Sequence, residues 1–190
     1  MKTRESGMPP EEMWQGFFDP PAILRKLGLT EQCGNVLEVG CGYGTFTVPA
    51  ARIVQGTVYA VDIDPEMLAV TRSGIKAAEL SNVELHQRDF TEDGSGLPDG
   101  SVDYVMLFNI LHADERMQIL NESMRVLNPN GKLAIIHWNY DVSTPRGPSM
   151  AIRPRPEECC FWAEQAGFFL HPIGLIDLPP YHYGFVFGRS

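Results

Sequence analysis

Short apolar runs alternate along this chain with stretches whose apolar positions recur every three or four residues. The runs Val36–Val39, Thr57–Val61, Val83–His86, Val102–Phe108 and Lys132–Trp138 read as strands, and most of the stretches between them read as helices. Such alternation predicts an α/β domain whose parallel strands are joined by right-handed crossovers. One helix has a well-marked start after Asp62, with Asp64 as N-cap, Pro65 at the first helical position and Glu66 in the first turn. Gly74 is its weak point. A later helix begins near Asp114 and turns Met117, Leu120, Met124 and Leu127 to one buried face. Asn128-Pro129-Asn130-Gly131 then ends it and turns the chain into the next strand. Pro49 fits only the first turn of a helix, so the helix before the second strand starts as late as Val48.

Beyond Trp138 the periodicity stops. Asn139–Pro156 holds four prolines and reads as a long loop, a feature that is often functional in compact domains. Asp93–Gly100 reads as a surface loop. A short helix around Glu157–Ala166, stopped by Gly167, precedes two strand-like segments, Phe168–Leu178 and Tyr183–Phe187. With no helix between them, they predict an antiparallel hairpin at the sheet edge.

The most informative stretch is Asn35–Thr47. A strand breaks there into glycines at alternate positions, Gly40, Gly42 and Gly44, and a helix follows. Glycine lets bare backbone approach a ligand, and Asp62 closes the next strand with a carboxylate suited to ribose hydroxyls. The pair implies a nucleotide-like ligand. It departs from the dinucleotide fingerprint, because the third glycine of G-x-G-x-x-G would fall at Thr45.

Composition narrows the choice. Hydrophobic residues at 44% and charged residues at 21% describe a soluble globular protein, most simply a single domain over residues 1–190. No apolar run approaches the roughly 20 residues that span a bilayer, and Met1–Pro10 lacks the apolar stretch of a secretory signal. A cytoplasmic protein is expected. The formal charge of −9 argues against nucleic-acid partners, leaving Arg146, Arg153 and Arg155 as the best local basic patch. Cys33, Cys41, Cys159 and Cys160 lack metal-ligand spacing, so reduced thiols and no metal are expected.

Glu38-x-Gly40-x-Gly42-x-Gly44, Asp62, Gln87–Phe90, Leu97–Ala113 and Leu127–His137 together resemble the class I S-adenosylmethionine-dependent methyltransferases, and most nearly the small-molecule, ubiquinone/menaquinone-biosynthesis-like branch. The resemblance implies a Rossmann-like, doubly wound, mostly parallel seven-stranded sheet with an antiparallel C-terminal hairpin. It implies N-terminal cap helices within residues 1–30, a substrate-side loop over 139–156, and S-adenosyl-L-methionine as cofactor. Glu38 would lie near the methionine moiety, where a carboxylate suits a cation and would repel a pyrophosphate. Asp62 would accept from the ribose hydroxyls, Ile63 and Phe90 would pack beside the adenine, Asp89 would accept from its amino group, and Asn109 would lie beneath the transfer centre. Asp64 is a helix cap in this reading, and Cys41 fills the turn.

The implied reaction is in-line methyl transfer to a small-molecule acceptor, for which a general base is optional. His112 and His137 are the candidate bases, each weighed against an ordinary local or core role. Trp14, Trp138, Tyr140 and Arg146 are candidate acceptor contacts. An exposed loop face is an equal reading for Trp138, Tyr140 and Arg146. For Trp14, Phe17 and Phe18, packing of the N-terminal segment on the sheet is preferred over closing on the cofactor. Asn109-Ile110-Leu111-His112 stands where amino-methylating nucleic-acid enzymes carry Asn-Pro-Pro-Tyr, which favours a small acceptor. A non-catalytic S-adenosylmethionine-binding module and a nicotinamide-dependent oxidoreductase are the competing readings.

Overall fold

A computed structural model describes residues 9–189. The first part of the expected 1–30 cap, and most of the polar N-terminus, lie outside the described residues. Two short helices come first, α1 (Glu11–Gln15) and α2 (Pro20–Lys26), the second capped by Asp19, which accepts from the Ala22 amide at 3.1 Å. There follow β1 (Val36–Val39), α3 (Thr47–Ile53), β2 (Val58–Asp62), α4 (Pro65–Ala77), β3 (Val83–Gln87), α5 (Phe90–Asp93), β4 (Val102–Phe108), α6 (Arg116–Val126) and β5 (Leu127–Trp138). After the long loop come α7 (Pro156–Gln165), β6 (Phe168–Leu170), β7 (Ile176–Leu178) and β8 (His182–Arg189).

The strands form one sheet in the order β3-β2-β1-β4-β5-β8-β6, with β7 also paired to β8. The first five are parallel, while β8 runs antiparallel to β5, β6 and β7. Helices cover both faces, so the central strands are apolar on both sides and read as continuous runs. Val105 and Leu107 of β4 join a core with α5, α6 and α7, whereas Tyr104 and Met106 join a core with α2 and α3. Buried Tyr104 satisfies its hydroxyl by donating to the Leu27 carbonyl at 2.8 Å. This is the doubly wound α/β architecture implied by the sequence. Among the described residues, no helix is long and apolar enough to cross a membrane.

Several local expectations need correction. Helix α3 starts at Thr47, before Val48, which still leaves Pro49 in the first turn where its missing N–H costs nothing. Helix α6 starts at Arg116 and buries Ile119, Leu120, Ser123 and Val126. Met117 and Met124 only flank that core, and Leu127 has already entered β5. Asn128–Gly131 is no separate turn. It bulges within β5 between the pairs Val102↔Leu127 and Tyr104↔Lys132.

The expected strand Phe168–Leu178 breaks into β6 and β7, and both fragments lie along β8, giving eight strands. Pro172 has no N–H for the ladder and Gly174 takes a positive φ of 66°, so the chain turns away between them. The Asp93–Gly100 region begins as the last residue of α5 and is tied to α6, with buried Ser95 donating from its amide and hydroxyl to Glu122 Oε1 at 2.8 and 2.6 Å.

Candidate functional site

Strand order reverses between β1 and β4, and at such a switch point the loops leaving the two strands diverge and open a crevice. A cavity of about 390 Å³ lies there. Its wall runs from Arg88–Thr91 after β3, across the turn after β1, to Trp138 at the end of β5 and Arg146 in the loop beyond it. The volume is in the range of pockets that hold small molecules, about 300–1,000 Å³.

The turn after β1 forms its floor. Gly40, Gly42 and Gly44 have φ of 74°, 54° and 76°, a region in which a side chain's Cβ is strained. The amides of Gly40 and Cys41 both donate to the Val61 carbonyl, at 2.8 and 3.2 Å, pinning the turn to the end of β2. Gly40 and Gly42 line the cavity, but Gly44 does not. A Cβ on Gly44 would come 2.9 Å from Thr71 Cγ2, so this glycine lets the turn pack on α4.

Two carboxyl groups flank the turn. Asp62 accepts from the Gly42 amide through Oδ2 at 2.8 Å and from the Asp64 amide through Oδ1 at 3.0 Å. Each oxygen therefore keeps a lone pair for a vicinal diol. Burial raises its pKa, while the backbone amides of Asp64, Gly42 and Ile63 oppose the rise and the Asp64 charge adds to it. Glu38 is buried, and Thr47 Oγ1 donates to its Oε2 at 2.5 Å. Burial pushes this carboxyl up to about 8, with the Thr47 bond lowering it and the Asp62 charge raising it. Asp64 caps α4 by accepting from the Glu66 amide at 2.8 Å. Cys41 is buried and its thiol is raised far out of the reactive range, as suits a turn filler.

Ile63, Asp89 and Phe90 line the β3 side. Asp89 also caps α5, accepting from the amide and hydroxyl of Thr91 at 3.1 and 2.7 Å. Asn109 follows β4 with a φ of 58° and is held there by its amide, which donates to the Ile136 carbonyl at 2.8 Å. Its side-chain Oδ1 and Nδ2, and Thr45 Oγ1, are buried at the cavity wall without a partner. Buried polar atoms rarely stay unpaired, so these point to a polar ligand.

His112 lines the cavity, and burial followed by the Arg116 charge lowers its pKa, opposed by its interaction with the Asn109 backbone. His137 does not line the cavity. It is wholly buried on β5, its Nδ1 accepts from the Trp138 amide at 3.0 Å, and its ring meets that of His112 at 5.7 Å, nearly perpendicular. Trp14, Trp138 and Arg146 line the β5 end. Trp14 also packs, with centroids 6.3 Å from Trp138 and 4.9 Å from Phe18, and Phe17 lies 5.4 Å from Trp138. Tyr140 turns away from the cavity because Arg155 stacks over its ring at 4.1 Å. The three arginines therefore make no basic patch, since Arg155 is occupied by Tyr140 and Arg153 is buried within the loop.

Sequence patterns did not point to Thr47 or His182, and offered Arg153 only as a member of a basic patch. Thr47 lies nine residues beyond Glu38 and reaches it only once the turn has folded. His182 is buried between Trp138 and Phe18, with centroids at 4.2 and 4.5 Å, neither ring nitrogen has a hydrogen-bond partner, and burial lowers its pKa to about 3. Among the described residues no group of three His, Cys, Asp or Glu side chains is placed to hold a metal.

A positive-φ glycine floor, an aspartate with lone pairs left on its oxygens, and the partnerless side-chain amide of Asn109 in the same cavity wall fit a ribose-bearing ligand without phosphate. Comparison with known proteins agrees. Residues 36–131 match the family described as "Methyltransferase domain". Demethylmenaquinone methyltransferase of Listeria welshimeri is 37% identical over 126 residues, which cover 65% of this chain and 51% of that protein. The enzyme of the same name from Bacillus mycoides is 37% identical over 104 residues, covering 52% and 42%. The chain thus spans about half the length of the curated relatives it matches. A SAM-dependent methyltransferase structure from Aquifex aeolicus superposes with a TM-score of 0.82 at 28% identity, covering 96% of this chain and 94% of that one. The fold is shared with the [4+2]-cyclase SpnF, at a TM-score of 0.75 and 16% identity over 90% of this chain and 81% of that one. With its matched core, switch-point cavity and full-length structural likeness, the chain belongs to the methyltransferase-domain family of class I S-adenosylmethionine-dependent proteins.

Proposed function

We propose that this protein transfers a methyl group from S-adenosylmethionine to a small, flat acceptor of quinone type. The observation that carries the reading is Asp62, whose two oxygens each keep one lone pair beside a glycine turn at the switch point. In this reading Asp62 takes the ribose hydroxyls, and Gly40 and Gly42 give close passage to the methionine part. Glu38 lends negative charge to its cationic end. Ile63, Asp89 and Phe90 hold the adenine, and Asn109 offers its partnerless atoms beneath the transfer point. When bound, S-adenosylmethionine supplies a methyl carbon activated by positive sulfur.

The chain's own task is alignment, exclusion of water and acceptance of a proton. His112 is suited to the last role, being at the cavity wall with its pKa lowered by burial and the Arg116 charge. His137 sets its tilt from behind. Trp14, Trp138 and Arg146 form the acceptor end, and their flat faces match an aromatic ring. The quinone assignment rests on the printed names of the Listeria and Bacillus relatives. The net charge of −9 supports a small acceptor over nucleic acid, and four unpaired cysteines support a reducing, cytoplasmic setting.

The test is release of S-adenosylhomocysteine over an acceptor panel that includes reduced demethylmenaquinone. Turnover of an aromatic member is expected. S-adenosylhomocysteine binding with no turnover of any member would leave a binding module, and tighter binding of NAD would remove the cofactor assignment.

A further inference from the structure

The loop between β5 and α7 has no repeating structure, yet Arg146, Gly147, Pro148 and Ile152 form part of the cavity wall. Arg153 gives it a defined shape. Its side chain is 7% exposed and its guanidinium sits inside the loop. Nε donates to the Pro148 carbonyl at 3.1 Å. Nη1 donates to the carbonyls of Asn139 and Asp141 at 3.1 and 3.0 Å and to Thr144 Oγ1, and Nη2 donates to the carbonyls of Arg146 and Pro148 at 3.1 and 2.9 Å. Among the described residues no carboxylate lies within ion-pair distance of it.

A buried guanidinium is costly unless its five donors are met, and here every acceptor lies within residues 139–148. The cation thus replaces the hydrogen-bond ladder that this stretch lacks. Gly147 closes the arrangement from the other side. Its φ is 110°, and a Cβ there would come 2.8 Å from Trp138 Cγ and 2.9 Å from Arg153 Nη2. The loop is therefore gripped between Arg153 and the end of β5. Arg153 itself does not line the cavity.

We infer that Arg153 is a positioning residue for the acceptor: through its bonds to the loop carbonyls it holds Arg146, Gly147, Pro148 and Ile152 as the acceptor wall opposite Trp138. The inference rests on the methyl-transfer reading above for the identity of what that wall meets. The proposed cofactor contacts lie at or just past the C-terminal ends of β1, β2, β3 and β4, outside the 139–156 loop, so acceptor and cofactor effects separate.

The experiment compares wild type with Arg153→Met, Arg153→Lys and Gly147→Ala. It reads hydrogen exchange of amides in 139–152, the Kd of S-adenosylhomocysteine, and KM and kcat with reduced demethylmenaquinone. Arg153→Met should speed exchange across the loop at least tenfold and raise acceptor KM at least tenfold. The kcat should stay within threefold and the S-adenosylhomocysteine Kd within twofold of wild type. Lysine has three donors and no planar fork, so it should rescue only in part. Gly147→Ala should raise acceptor KM with Arg153 intact. Wild-type exchange in Arg153→Met, or cofactor affinity falling in step with acceptor affinity, would overturn the inference. Should the wild type bind S-adenosylhomocysteine and turn over no acceptor, the methyl-transfer reading falls alone. The exchange and cofactor-binding arms then still decide for or against Arg153.

Discussion

Replacing Glu38 with glutamine should abolish a proton release that accompanies cofactor binding. In the ligand-free site this carboxyl titrates near 8 against an ordinary 4.5, because it is buried. Its ionisation there costs about 5 kcal/mol more than in water, at 1.36 kcal/mol per pH unit, and at pH 7 the neutral acid outnumbers the anion about tenfold. A positive centre brought to about 5 Å, at an effective dielectric near 20, returns about 3 kcal/mol to the anion. That draws the pKa to about 6, so about 0.8 proton leaves per site at pH 7. Titration calorimetry of S-adenosylmethionine in buffers of different ionisation enthalpy counts it directly. In Glu38→Gln the count should fall to zero, and affinity at pH 7 should drop about tenfold, a gap that closes by pH 5. The ligand-free stability has a fixed sign as well. A carboxyl with a raised native pKa stabilises below 4.5 and loses that contribution as pH rises through about 8, so the wild type should weaken over that window more than the variant. An unchanged proton count in the variant, or equal affinity at pH 7, would refute the placement of Glu38 beside a cation.

Asp62→Ala removes charge-assisted bonds worth about 1.5–3 kcal/mol each, so S-adenosylhomocysteine binding should weaken at least a hundredfold by calorimetry; a change under fivefold would exclude ribose recognition there. His182 is neutral and buried, and a lowered imidazole pKa contributes stability above 6.5 that is lost as pH falls toward about 3. His182→Phe should therefore resist acid unfolding, shifting the midpoint to lower pH by circular dichroism; an unchanged midpoint would discount the imidazole. Gly74 lies inside α4, and a Cβ there would touch only Val48 Cγ2 at an ordinary 3.7 Å. Gly74→Ala should add up to about 1 kcal/mol, seen as a Tm rise of about 2–4 °C, and a lowered Tm would mean that the α3–α4 contact cannot accept it.

What was legible in the sequence follows from what local chemistry dictates. The central parallel strands are apolar on both faces and bounded by turn residues, so their runs stood out. Asp64 and Pro65 marked a helix start because capping acts within one turn. The turn Gly40–Gly44 was visible because its glycines alternate at a strand end. Long-range partners were not. The break of Phe168–Leu178 depends on β8 offering its outer edge to both fragments, a pairing that no local pattern encodes. The buried face of α6 slipped because two stripes share Leu120, one through Met117 and Met124 and one through Ile119, Ser123 and Val126, and packing on the sheet selects the second. Thr47 meets Glu38, and Arg153 meets its loop, only after folding. Tyr140 looked like an acceptor contact until Arg155 claimed its ring.

The place of β8 in the sheet bears on how the chain is made. Among the described residues it is the only strand that joins β6 and β7 to the rest, and it covers the edge of β5 from Lys132 to Trp138. During synthesis that edge, with Ala134, Ile135 and Ile136 along it, stays bare until residues 182–188 emerge, at about 5–20 residues per second. For those seconds the nascent protein carries an open apolar strand of the kind that pairs with other chains. Slower elongation through the proline-rich loop would lengthen the exposure, so yield in the cell should depend on how fast residues 139–181 are translated.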